Sequence, residues 1–271
     1  YWIRLSGLTP RREYGFQYII DGSTRTPDPY VEKVLDPFND PEVVRENRYP
    51  NLLAYPTGKT TGMVGVFSTP RPSYNWRVQN FRRPAVKDLV VYELLIRDFS
   101  TRRTFRAAMD SLQYLRRLGV NCIELMPVAE FDGNLSWGYN PAFFSAVDKY
   151  YGTENDLRAF VDSAHALGIA VVLDVVFNHA TGSCPLYQLY PASENPYFNV
   201  VARHPFNVFN DFNHEFIGTQ MFMDKTLRFW TEQFRIDGYR FDLSKGFTQV
   251  NSGTNVGLWS ARDTSRIRLL K

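Results

Sequence analysis

The chain has 271 residues, 44% hydrophobic and 22% charged, a composition of one large or two smaller globular domains rather than a disordered or fibrous protein. Its net charge of +3 is mixed in sign along the chain and no apolar run reaches transmembrane length, so neither a nucleic-acid partner nor a membrane span is expected. Two cysteines make no disulfide framework; Cys122, in an apolar run, and Cys184, in a loop, read as free thiols.

Residues 1 to about 80 read as β and loop, starting at Tyr1 without Met and in mid-strand. Tyr14, Phe16, Tyr18 and Ile20 alternate, which predicts four apolar side chains on one sheet face, and Asp21-Gly22 supplies a turn. The stretch 26–41, rich in Pro and Asp, is expected to run extended over a surface. From about residue 88 strands alternate with helices. A strand over 89–96 precedes a helix capped by Thr104 and stopped by Gly119, with Phe105, Ala108, Met109, Leu112, Leu115 and Leu118 at helical spacing. A strand over 120–126 follows. Thr153 and Asp156 form a capping box before Leu157, Phe160, Val161, Ala164 and Leu167, and Gly168 ends that helix. A third strand covers 169–176. After a loop region at about 177–218, a helix with Met223, Leu227, Trp230 and Phe234 on one face leads to a fourth strand over 238–243.

Strand–helix–strand repetition predicts an α/β fold with a parallel sheet. No Gly-rich phosphate loop follows a strand, which disfavours a nucleotide-binding sheet. In a barrel, chemistry gathers where strands end. Asp174, Asn178, His179, Arg240 and Asp242 all lie late in, or just after, the third and fourth strands. Arg240 and Asp242 are two apart on a strand and so point to one side, where the guanidinium keeps the carboxylate ionised. An ionised, partly desolvated Asp is what a retaining glycosidase uses as nucleophile. By itself such a pair also suits a structural strand-end ion pair. Aromatics at 15% suit a sugar binder, although core filling accounts for most of the individual rings.

Asp174-Val175-Val176-Phe177-Asn178-His179 and Gly238-Tyr239-Arg240-Phe241-Asp242-Leu243-Ser244-Lys245 resemble the first two signature regions of the α-amylase family, glycoside hydrolase family 13. Trp137-Gly138-Tyr139-Asn140-Pro141 with Tyr151-Gly152-Thr153 resembles that family's loop after the second strand, and 91–99 its first strand. The four motifs keep the family's order between about residues 85 and 250. The resemblance implies that residues 81–271 are the N-terminal half of a catalytic (β/α)8, or TIM, barrel with an inserted loop region at about 177–218. Residues 1–80 resemble the end of the β-sandwich, carbohydrate-binding-like domain, plus linker, that precedes the barrel in debranching and branching enzymes.

What the resemblance implies for single residues follows its motifs. Asp242 is the nucleophile that forms a covalent glycosyl-enzyme, and Arg240 holds it ionised. His179 hydrogen-bonds a sugar hydroxyl, Tyr139 stacks under the same ring, and Trp137 belongs to the same loop. Asp174 braces Arg240 and is held ionised by it. Lys245 contacts sugar on the leaving-group side. The bland readings are an interior histidine for His179, loop packing for Tyr139 and Trp137, and a solvated lysine for Lys245. In calcium-dependent relatives an Asn matching Asn178 and an Asp resembling Asp211 bind calcium; many branching and debranching relatives lack the ion, and Gly246 stands where many α-amylases have His.

The implied function is a retaining hydrolase of α-1,4/α-1,6-glucans such as starch, glycogen or pullulan, with no cofactor required and that calcium as an option. A branching transglycosylase and a non-catalytic α-glucan-binding protein are the alternatives. The family's general acid is a Glu after the fifth strand. Beyond Asp242 this sequence has no Glu and a single Asp, Asp263, at the start of a helix over 264–270, so the acid and the remaining strands are expected outside these residues.

Overall fold

The computed structural model describes residues 3–71 and 73–271, so the expectation for Tyr1 lies outside the described residues. Upstream, β1 (Glu13–Phe16) pairs antiparallel with β5 (Val64–Ser68), which also pairs with β4 (Val34–Leu35). β2 (Tyr18–Ile20) and β3 (Thr24–Thr26) form a separate hairpin across Asp21 and Gly22, both at positive φ. Tyr14, Phe16, Tyr18 and Ile20 therefore do not share one sheet face. The strand breaks at Gln17, whose side-chain amide donates to the carbonyls of Thr61 (2.9 Å) and Met63 (2.6 Å), and Tyr18 is left largely exposed.

The stretch 26–41 is not a surface strap either. Val31, Val34 and Leu35 are buried, the first two against Ala142, Phe143 and Ala146. Asp36 and Asp40 turn inward and accept local backbone amides: Asp36 accepts from the Phe38 amide (2.7 Å), and Asp40 accepts from the Asp36 amide (2.8 Å). Lys149, almost fully buried, pairs with Glu130 and lies 3.3 Å from Asp40, tying this segment to the domain that follows.

That domain centres on a four-stranded parallel sheet in sequence order: β6 (Val91–Leu94), β7 (Cys122–Leu125), β10 (Ala170–Val176) and β13 (Gly238–Asp242). The strand order is that read from the sequence, but the first strand is shorter than the 89–96 read for it and gives way to a helical turn at Ile96–Phe99. Thr104 caps its helix by accepting from the Ala107 amide (3.2 Å). The helix is interrupted at Asp110 and Ser111, splitting into Phe105–Met109 and Leu112–Arg117; short polar side chains of this kind compete for backbone groups. Thr153 and Asp156 make the full capping box of Glu154–Ala166, and Gly168 takes φ +73° past its end. Helix Ile217–Phe234 buries Phe222, Met223, Trp230 and Phe234.

Not legible beforehand was the pair β8 (Ala129–Phe131) and β9 (Pro141–Val147). Every residue of β9 is buried, so its sequence shows no alternation. It lies between the upstream segment and helix Ile217–Phe234, whose Trp230 indole donates to the Phe144 carbonyl at 2.9 Å. The region after β10 holds β11 (His179–Ala180) and β12 (Asn210–Asp211), which pair antiparallel over a second core of Phe144, Phe177, Phe198, Phe212, Phe222 and Phe247. Cys122 and Cys184 are free and buried, and burial pushes both thiols up, to about 11 and about 12. Among the described residues no helix is long and apolar enough to cross a membrane.

Candidate active site

Parallel register sets the site. β10 and β13 place Asp174 opposite Arg240 and Val176 opposite Asp242. Side chains two apart on a strand share a face, so Arg240 and Asp242 point the same way. A single guanidinium nitrogen, Arg240 Nη1, donates to Asp242 Oδ1 at 2.6 Å and reaches Asp174 Oδ1 and Oδ2 at 3.1 and 3.0 Å. Arg240 Nε faces Glu124 at 3.8 Å. Directly after Asp242, Leu243 takes a left-handed conformation (φ 45°, ψ 34°), unfavourable for a side chain of its size, and the strand ends there in a 3-10 turn, Ser244–Gly246.

Tyr139 arrives from the β8–β9 connection. Its hydroxyl donates to Asp174 Oδ2 at 2.6 Å. The turn before it requires glycine: Gly138 has φ +90°, and a β-carbon there would lie 2.7 Å from Pro127 Cβ. The Tyr139 carbonyl accepts from His179 Nε2 (2.8 Å), which leaves His179 Nδ1 as acceptor for the Asn178 amide (3.1 Å). Tyr139, Asp174, Arg240, Asp242 and His179 thus form one connected network at the C-terminal ends of adjacent strands. Both ring nitrogens of His179 are held by protein groups and the ring is buried, so it must yield a partner before it can bond a sugar hydroxyl.

The electrostatics differ in one respect from the sequence expectation. Burial raises the Asp174 carboxyl to about 6, outweighing the Tyr139 hydrogen bond and the Arg240 charge that pull it down. Asp174 is therefore less firmly ionised than its pairing with Arg240 suggested. Tyr139 is raised, chiefly by burial and then by its bond to Asp174. Burial lowers His179, favouring the neutral ring.

The other predicted residues stand apart. Trp137, two residues before Tyr139, is 58% exposed. Lys245 is exposed and places its ammonium 4.7 Å from the Trp259 ring centre. Asp263 caps helix Thr264–Leu269, accepting from the Ser265 amide (2.9 Å) and bonding Thr248 (2.5 Å). Two residues were missed: Glu93 and Glu124, opposite one another on β6 and β7, whose carboxylates cluster within 4.8 Å of Asp174. Their signal was a glutamate within each apolar strand run. Burial and then Glu93 raise Glu124, while Arg240 pulls it down.

Asn178 and the Asp211 strand end are joined through the backbone, the Phe212 amide donating to the Asn178 carbonyl at 3.0 Å. Asn178 Oδ1 is buried without a hydrogen-bond partner, as a cation ligand could be. The remaining donor set does not fit calcium, which takes six to eight oxygens. Asp211 Oδ2 accepts from Asn199 Nδ2 (2.8 Å) and the Arg203 amide (3.3 Å), and Asp211 Oδ1 is bonded by His204 Nε2 (3.0 Å). Both carboxylate oxygens are engaged by N–H groups, and the nearby side chains His204 and His214 offer nitrogen.

The family described as α-amylase, catalytic domain, matches residues 104–205. A malto-oligosyltrehalose trehalohydrolase of Saccharolobus solfataricus is 31% identical over 230 residues, covering 84% of this chain and 36% of that protein. The chloroplastic isoamylase 1 of Oryza sativa subsp. japonica is 31% identical over 221 residues, 69% of this chain and 28% of the relative. Among solved structures, a putative α-amylase from Salmonella typhimurium superposes with a TM-score of 0.67 at 30% identity, over 88% of this chain and 35% of that one. The chain thus spans about a third of the length of the relatives it matches.

Proposed function

The chain belongs to the α-amylase family, and on that premise we propose that the complete protein is a retaining glycoside hydrolase acting on α-1,4/α-1,6-glucans. The observation that carries this reading is the single Arg240 nitrogen shared between Asp242 and Asp174 at the ends of adjacent parallel strands. A carboxylate so held is a prepared nucleophile. The Asp242 oxygen attacks the anomeric carbon as the glycosidic C–O bond breaks, and the departing oxygen takes a proton from a carboxylic acid across the bond. Water then attacks the glycosyl ester, giving its proton back to that acid and releasing Asp242. Tyr139 and the exposed Trp137 supply ring faces for the sugar at the site's edge, with His179 and Lys245 as polar contacts.

Strand order supports assigning residues 81–271 to the first half of a (β/α)8 barrel. The three-stranded antiparallel sheet supports reading 1–80 as the end of a carbohydrate-binding-like β-sandwich with its linker. The test is Asp242→Asn in the complete protein. Turnover of starch and pullulan should fall by at least about 10³-fold while glucan binding persists, because the side chains are nearly isosteric. Near-normal turnover would remove Asp242 from the mechanism.

A further inference from the structure

We propose that His204 stands where a structural cation would have to sit, so that the loop after β10 is pinned by an imidazole rather than by calcium. Position 246 shows the substitution most directly. A β-carbon built on Gly246 would lie 1.6 Å from Asn178 Oδ1 and 2.9 Å from His204 Nε2, so the space beside Gly246 is already filled from two sides. Only glycine fits there, and the reason is the pair of side chains that converge on it.

His204 is built into the core. It is 3% exposed, flanked by Trp259 at 6.4 Å between ring centres, and donates through Nε2 to Asp211 Oδ1 at 3.0 Å. Asp211 is 3% exposed and sits on β12, the strand that pairs with His179 and Ala180 of the site-bearing loop. A carboxylate this deeply buried needs compensation. Calcium would supply it through oxygen contacts; here three N–H groups supply it instead, from Asn199, Arg203 and His204. The hydrogen on His204 Nε2 points at Asp211 Oδ1, the carboxylate oxygen that an ion seated between Asp211 and Asn178 would need. A cation could enter only by displacing the imidazole. The arrangement stands whatever reaction the complete protein catalyses.

The experiment is thermal unfolding of the complete protein, stripped with EDTA and then supplied with millimolar calcium chloride. The wild-type midpoint is expected to stay within about 1 °C in both conditions. His204→Ala, which leaves Asp211 Oδ1 without its partner, is expected to lower the midpoint by about 3–6 °C in EDTA. His204→Gln, which keeps an N–H donor, should recover at least half of that loss. A wild-type midpoint that falls by several degrees on chelation and returns with calcium would overturn the proposal. So would a His204→Ala protein as stable in EDTA as the wild type. If His204→Ala does not fold, the wild-type response and His204→Gln decide the question: a His204→Gln midpoint below wild type that chelation does not change supports it, and one restored by calcium in both proteins refutes it.

Discussion

Arg240 and Asp174 meet across the β10–β13 register with both Asp174 oxygens within 3.1 Å of one guanidinium nitrogen, and that nitrogen also holds Asp242 at 2.6 Å. The consequence is that the orientation of Asp242 depends on a residue on the neighbouring strand. Arg240→Lys keeps the charge but replaces a planar fork by a point charge on a flexible stem. In the complete protein, kcat is expected to fall by about 10²-fold or more with a smaller change in KM, since the loss falls on transition-state charge. Steady-state kinetics on a soluble maltooligosaccharide checks this; a change confined to KM would assign Arg240 to substrate binding.

Asp174 is raised to about 6, above the roughly 3.9 of an unperturbed Asp. For a raised carboxyl the folded state holds its proton more tightly than the unfolded state. The stability this contributes is present below about pH 4 and is lost as pH rises through about 6. Urea unfolding of the chain at pH 4.5 and 6.5 should show wild type losing up to about 2 kcal/mol more than Asp174→Asn over that interval. Equal changes in the two proteins would show that Asp174 does not titrate there.

Lys149 holds Glu130 and Asp40 in a nearly water-free setting, and burial raises both carboxyls against the lysine's pull. Lys149→Met is expected to cost about 3–5 kcal/mol, because it leaves two buried carboxyls without their cation. Denaturant unfolding measures it. Adding Glu130→Gln should restore part of the loss, since one uncompensated charge goes with it.

Asp162 is fully buried and docks the segment before the parallel strands, accepting from the Arg77 amide (3.1 Å), the Val78 amide (3.0 Å) and Arg77 Nε (2.9 Å). Asp162→Ala strips these donors of their acceptor. It should destabilise the chain by about 2–3 kcal/mol and open trypsin cleavage after Arg77. A variant as resistant as wild type would show that the segment is held by other contacts, such as Arg235 with the Val78 carbonyl.

The 271-residue chain assayed alone is expected to release no reducing sugar from starch or pullulan. Asp263 is committed to capping a helix, and several contacts hold its carboxyl low in spite of burial. Asp174 shares the Arg240 guanidinium nitrogen with Asp242, the proposed nucleophile, whereas the acid of a retaining mechanism stands across the scissile bond. Robust turnover abolished by Asp242→Asn would reveal an acid among Glu93, Glu124 and Asp174.

By itself the sequence determined the order of the four parallel strands β6, β7, β10 and β13 and of the main helices between them, because local signals carry that information. Thr153 and Asp156 close a capping box within one turn, glycines stop two helices, and the Arg240–Asp242 spacing fixes a shared face whatever surrounds the strand. It also singled out the residues that the register later connected. Tertiary structure decided what depends on neighbours distant in sequence. Gln17 splits an alternating run because the Thr61 and Met63 carbonyls lie beside it. β9 is a strand without alternation because it is covered on both sides. Asp174 is raised although Arg240 adjoins it, since desolvation depends on total burial and not on one partner. His204 is a loop residue with no motif; only the folded chain brings it against Asp211 and the space beside Gly246, where geometry, and not residue type, determines what occupies a site.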